Sequence, residues 1–278
     1  MIKKIFNIKR LNSFFFSFLA LILLELLVWQ PILFWPLALF ILALIFFSVW
    51  RILPKNAAIR KELRADEKLI LKLKVILKIF LADRNYTFFI SPVFLFFGIL
   101  IFIIFLKNKL LIHFSILFFA FLYFLFLESI YSYFYKREEY FLENIFTVIN
   151  FFSLFLVYSG LFSFLVIFGF SLWKIISVFI LFTVLSNHQL MHIYQVADKF
   201  NYFYNIAITI VMVEMFWVLM FLPTNFYVNG MVLISLYYSI MGISYFYLKK
   251  DLSAVKITRH LVISVIIIAI SLATARWT

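Results

Sequence analysis

The chain contains no cysteine. This excludes disulfides, thiolate metal sites, a cysteine nucleophile and Fe–S ligation. Glycine is also scarce, with five copies at Gly98, Gly160, Gly169, Gly230 and Gly242. None stands in a GxGxxG or GxxxxGK[ST] pattern, so neither a dinucleotide fingerprint nor a P-loop is present. A nucleotide-driven pump on this chain alone is not expected, and no motif names a cofactor. Charge is thin as well: 13% of residues are Asp, Glu, Lys or Arg, against about 25% in typical soluble domains.

What fills the space is apolar. Of 278 residues, 67% are hydrophobic and 22% aromatic, with 41 phenylalanines. A globular interior of this size has no room for so much apolar surface. The solvent for the excess is lipid.

A helix needs about 20 apolar residues to cross roughly 30 Å of hydrocarbon. Nine runs qualify, near 12–30, 32–52, 86–106, 110–135, 144–168, 171–188, 202–222, 229–248 and 259–276. The last is short, which leaves the count at eight to nine. The fold class is therefore an all-α polytopic integral membrane protein. Lys3, Lys4, Lys9 and Arg10 precede the first run, as in a signal peptide. That run is too long and lacks a small-residue cleavage site, so it reads as a retained helix. Gln30-Pro31 makes a tight turn into the second helix, and Pro36 falls in its first turns.

The net charge of +13 invites a nucleic-acid reading, which the placement of the charges removes. With the N-terminus in the cytoplasm and nine crossings, every Lys and Arg lies on the inner side except Lys107, Lys109, Lys174 and Arg276. This is the positive-inside distribution. It predicts a multi-pass cell-membrane protein with its C-terminus outside, and basic loops that face anionic lipid.

Three parts follow: a two-span hairpin over residues 1–53, a basic linker over 54–85, and a seven-span bundle over 86–278. Within the linker, Lys68, Lys72, Lys74 and Lys78 share one side of a helical wheel, opposite Ile70, Leu73, Ile76, Leu77 and Phe80. That pattern predicts an amphipathic helix in the membrane surface, with the lysines on lipid head groups. The bilayer, anionic head groups and another membrane protein are the expected partners.

Two groups of residues carry candidate chemistry. The first is the set of acids inside predicted spans: Glu25, Glu128 and Glu214. A carboxyl in hydrocarbon is costly, by about 2.5–3.5 kcal/mol on insertion scales, so each needs a partner or a purpose. Glu214 lies nearly mid-span, with the Tyr237-Tyr238 pair as candidate donors, and could carry a proton. The second is the polar stretch "SNHQLMHIYQVADKFN", where His188 and His192 stand four residues apart. On one helix face two such histidines can chelate a metal if a third ligand arrives; Asp198, Glu139 and Glu143 are the candidates. The same His188, His192 and Asp198 could serve an enzyme acting on lipid or lipid-linked substrate at the cytoplasmic face. Small residues at Ser159, Gly160 and Ser163, and at Ser239, Gly242 and Ser244, predict faces where helices approach closely.

Three function classes remain: a transporter-like protein moving a small solute or ion, such a membrane enzyme, and a non-catalytic membrane subunit or scaffold.

Overall fold

The computed structural model describes residues 2–53, 86–136, 139–194 and 201–275, with only the backbone described for 2–11, 139, 140 and 201. Among the described residues it is helical throughout. The helices are α1 (Ile2–Trp29), α2 (Phe34–Ile52), α3 (Thr87–Phe105), α4 (Lys109–Lys136), α5 (Glu139–Phe168), α6 (Leu172–Ile193), α7 (Asn201–Leu219), α8 (Phe226–Leu248) and α9 (Ala254–Ala273). All nine are long and apolar enough to cross a membrane. The protein is an all-α polytopic membrane protein. A bilayer tolerates such chains because a helix satisfies its own backbone hydrogen bonds.

The expected spans coincide with these helices to within a few residues at most ends. Pro31 opens a short 3-10 turn, Pro31–Leu33, between α1 and α2. Pro36 then falls in the first turn of α2, where the missing N–H would have had no partner. The largest difference is at α1, which begins at Ile2 rather than 12; α5, α6 and α9 each run five residues beyond an expected end. Helix α9 begins at Ala254 rather than 259: Ser253 caps it by accepting from the Lys256 N–H at 3.4 Å. Asp251 pairs with Lys256 just there. A cap and an ion pair carry the helix across charged residues that a hydropathy scan rejects. Helix α7 stops at Leu219, three residues before the expected end, where Pro223 follows in a turn.

Packing divides the chain into two compact units, Met1–Val93 with Ile116–Ile145, and Phe94–Ser115 with Phe146–Thr278. These units cut α3, α4 and α5. The partition read from the sequence followed the 54–85 linker, which lies outside the described residues together with Lys68, Lys72, Lys74 and Lys78.

In the first unit, α1 and α2 form a hairpin. Ser48 on α2 meets the Tyr123 hydroxyl of α4 at 2.5 Å. Phe46 stacks on Phe89, and Phe88 meets Phe134 edge-on. In the second unit, the core runs through Leu154, Tyr158 and Phe162 on α5, Phe179 and Leu190 on α6, Met212 and Phe216 on α7, and Leu233 and Tyr237 on α8. Helix α9 packs along α8 and leaves most of its surface open.

Lipid gives no hydrophobic drive for helices to associate, so close van der Waals approach matters. The expected small-residue faces do this. A Cβ on Gly230 of α8 would strike the Ser159 Oγ of α5 and lie 3.0 and 3.1 Å from Ser159 N and Cα. A Cβ on Gly242 would lie 2.6 Å from the His260 ring of α9. Gly169, by contrast, has φ +61° with nothing within 4 Å. Its glycine is there for the backbone of the α5–α6 turn. Gly230→Ala should cost about 1–3 kcal/mol, since backbone atoms of α5 stand in the way. Gly169→Asn, which tolerates that backbone, should cost less than about 1 kcal/mol. Reversible unfolding in detergent, comparing the two variants with wild type, checks the order.

Candidate functional site

Helix α6 buries Ile176, Phe179, Thr183, Ser186, Asn187 and Leu190, a spacing of three and four that makes one helical stripe. The stripe is apolar toward Leu172 and polar toward Ile193. Thr183, Ser186 and Asn187, with Gln189, have no exposed surface at all. In water these would be surface residues; in lipid the polar face turns inward, because inside is where partners are.

The partners come from α5, α7 and α8. Asn205 Nδ2 on α7 donates to the Val184 carbonyl at 3.2 Å. Only the donor end of an amide can face a carbonyl, so Asn205 Oδ1 must face away, where it accepts from Asn187 Nδ2 at 3.1 Å. Asn187 Nδ2 also reaches Thr209 Oγ1 at 3.4 Å, and Thr209 donates to the Asn205 carbonyl at 2.7 Å. Asn187 Oδ1 is thereby left to accept from the Tyr237 hydroxyl of α8 at 2.7 Å. Tyr237 has one proton and spends it on that bond. Ser186 therefore supplies the proton wherever it bonds: it lies 2.5 Å from Asn150 Oδ1 on α5 and 3.0 Å from Tyr237. One hydroxyl proton serves two acceptors. Asn150 Nδ2 closes the set by donating to Gln189 Oε1 at 3.3 Å.

Two further pairs extend this cluster along the bundle. Thr183 gives its proton to the Phe179 carbonyl, so the 2.9 Å contact with Tyr158 is donated by Tyr158. Thr147 and the Tyr194 hydroxyl meet at 2.6 Å beyond Gln189. Every member is uncharged. Past Tyr158 the lane becomes aromatic: Phe179 packs on Tyr158 and on Phe216, each with ring centres 4.7 Å apart, and Phe216 stacks on Phe162 at 4.4 Å. Beyond Phe162 lies a cavity of about 330 Å³ between the end of α5, the α7–α8 turn and the start of α8.

The residues singled out from the sequence fall in several places. His188 and His192 are half-buried on α6, beside the buried stripe rather than on it. Glu143 is half-buried on α5; Asp198 and the Glu139 side chain lie outside the described residues. Among the described residues, no three of His, Asp and Glu come together to hold a metal. Glu25 is half-buried and Glu128 buried, both in the first unit. Glu214 is exposed on α7, on the face with Ile210, Trp217, Val218 and Phe221, while Met212 and Phe216 turn to the core. With α7 ending at Leu219, Glu214 stands about 7–8 Å from the helix end at 1.5 Å per residue. Tyr237, expected as a donor to Glu214, is bonded to Asn187 instead.

The amides of Asn150 and Asn205 and the hydroxyl of Tyr158 escaped the sequence reading, and Asn187 and Tyr237 were not read as partners. Their signal is phase: each falls on the buried stripe of its own helix. His260 escaped too. It is buried on α9 against the Tyr238 and Phe246 rings, with Nδ1 lacking a hydrogen-bond partner among the described residues.

The fold and this interior define an integral membrane protein whose second unit carries an uncharged polar core. No protein-family model, no curated protein and no solved structure matches the chain.

Removing one hydroxyl from this network should be felt. Tyr237→Phe leaves the buried Asn187 Oδ1 without its donor, a loss of about 1–3 kcal/mol. Tyr238→Phe, next in sequence but half-buried against His260, should cost under about 0.5 kcal/mol. The difference is read from unfolding midpoints in detergent.

Proposed function

We propose that the protein is transporter-like and passes a small uncharged polar solute through the α5–α8 bundle of its second unit. One observation carries the reading: a buried lane of neutral donors and acceptors, separated by stacked aromatic rings from a cavity on the same axis. Asn150, Ser186, Asn187 and Tyr237 offer amide and hydroxyl groups that a solute rich in hydroxyls or amides can match as it loses water. Among the described residues that form the lane none is Asp, Glu, Lys or Arg, so an ion would meet no compensating charge from them. The reading therefore uses neutral chemistry and does not route a proton through Glu214. In the orientation read from the basic residues, the cavity faces outward and Tyr194 with Thr147 faces the cytoplasm.

A second reading has its own support. Glu214 projects from α7 beside exposed Trp217 and makes no hydrogen bond or ion pair with a described residue. Carboxyls in membranes usually face protein or water, which favours an accessory subunit that seats a partner helix against α7.

The network is closed in this structure, so transport requires the helices to part and let water reach it. The natural absence of cysteine makes this directly testable. In Ser186→Cys protein reconstituted into liposomes, the near-isosteric thiol should react with N-ethylmaleimide under native conditions, and the rate should fall in gel-phase lipid. A thiol that reacts only after denaturation would overturn the reading and leave the network as static interhelical packing.

A further inference from the structure

The cavity at the end of the bundle is built from apolar walls and a small number of polar atoms. Phe162 and Leu165 of α5, Met220 and Leu222 of the α7–α8 turn, and Phe226 of α8 form the walls. At about 330 Å³ it sits at the small end of the range of ligand pockets, about 300–1,000 Å³.

Asn229 sets its chemistry. The residue follows the N-cap of α8, where Asn225 Oδ1 accepts from the Tyr227 N–H at 3.3 Å. Its own backbone N–H is used by the Asn225 carbonyl at 3.1 Å. It lines the cavity and is only 5% exposed. Its Oδ1 takes the Thr224 hydroxyl proton at 2.5 Å, which fixes the amide with oxygen toward Thr224 and nitrogen away from it. Asn229 Nδ2 has no acceptor among the described residues. With no acceptor from a described residue, this N–H is left as the donor that a ligand oxygen entering the cavity can meet. No charged side chain lines the cavity, so nothing there would offset the desolvation of an anionic or cationic ligand.

We infer that this cavity is a binding site for a small neutral amphiphile whose carbonyl oxygen accepts from Asn229 Nδ2 while its apolar body lies between Phe162 and Phe226. The Phe162 and Phe226 rings in its lining favour a planar or unsaturated body, which packs offset on aromatic faces. A carbonyl oxygen accepts from the Asn229 Nδ2 donor and brings no proton of its own that needs an acceptor. The inference does not depend on transport, since the site would fill equally in a protein that moves nothing.

Benzophenone is a suitable probe, being a neutral aryl ketone of matching size. On irradiation its excited carbonyl abstracts a hydrogen atom from a nearby C–H. The two carbon radicals then combine, so the product is one covalent C–C bond and a tertiary alcohol. With the carbonyl held at Asn229, Met220 and Leu222 should carry the adduct, located by peptide mass spectrometry of protein in nanodiscs. Asn229→Leu should lower labelling of that peptide roughly fivefold or more, as expected for one lost hydrogen bond. Leu165→Trp, which fills the cavity without touching the amide, should abolish it. Competition distinguishes the natural source: acetophenone displacing the probe indicates a free aryl carbonyl, and dioctanoylglycerol displacing it indicates a lipid ester. Labelling of the Met220–Leu222 peptide that survives both variants, or that neither competitor reduces, would overturn the site. Loss of this labelling would leave the thiol reactivity of Ser186→Cys unaffected, so the two readings fail separately.

Discussion

The Tyr237 hydroxyl and the Asn187 amide, 2.7 Å apart, set the terms on which the second unit packs. Both are fully buried, where a polar group without a partner is costly, and each belongs to a different helix. Joining them brings α8 to α6. The other end of the Asn187 amide then needs acceptors, which Asn205 and Thr209 supply from α7. Ser186, one residue earlier, turns toward Asn150 and so draws in α5. Four helices are thus fixed in rotation by a few neutral groups. Dispersion between Leu and Phe side chains would allow many rotations, because lipid tails are as apolar as the helices themselves. Direction comes from the hydrogen bonds.

Close approach makes those bonds reachable. Gly230 lets α8 lie against the Ser159 backbone of α5, which brings the Tyr237 level of α8 within reach of α5 and α6. The stacked rings of Phe162, Phe216 and Phe179 fill the next layer. Above them the α7–α8 turn cannot continue either helix, because Pro223 interrupts the chain, and the cavity lies against this turn. The sequence of layers, polar network then aromatic plug then cavity, is what makes a path conceivable in this unit. It also gives Phe162, Phe179 and Phe216 a local role as the plug between the network and the cavity.

Much of the fold was legible in the sequence, for a simple reason. Hydrocarbon thickness sets helix length, so runs of apolar residues read directly as spans, and the Gln30-Pro31 turn and the small-residue faces announce themselves. Ends were less legible where short-range chemistry overrides hydropathy. Ser253 and the Asp251–Lys256 pair start α9 early, and α7 ends before Pro223, which moves Glu214 from near mid-span toward a helix end. The polar core was hidden because attention to titratable groups selects His188, His192 and Glu214, which lie beside or outside the core. The residues that build it are amides and hydroxyls, unremarkable singly. Only their phase against Ile176, Phe179 and Leu190 distinguishes an inward polar stripe from a wet helix end, and hydropathy profiles average that phase away.

If the uncharged network is the interaction that orients the second unit, its members must be energetically coupled and not merely adjacent. A double-mutant cycle of Asn187→Leu and Tyr237→Phe, measured by reversible unfolding in detergent, reads this directly. The account predicts that the double variant is more stable than the sum of the single losses by about 1 kcal/mol or more, since each single change strands the other partner. Strictly additive losses would contradict it, and the hydrogen bond would then be a neighbourly contact with no part in holding the helices.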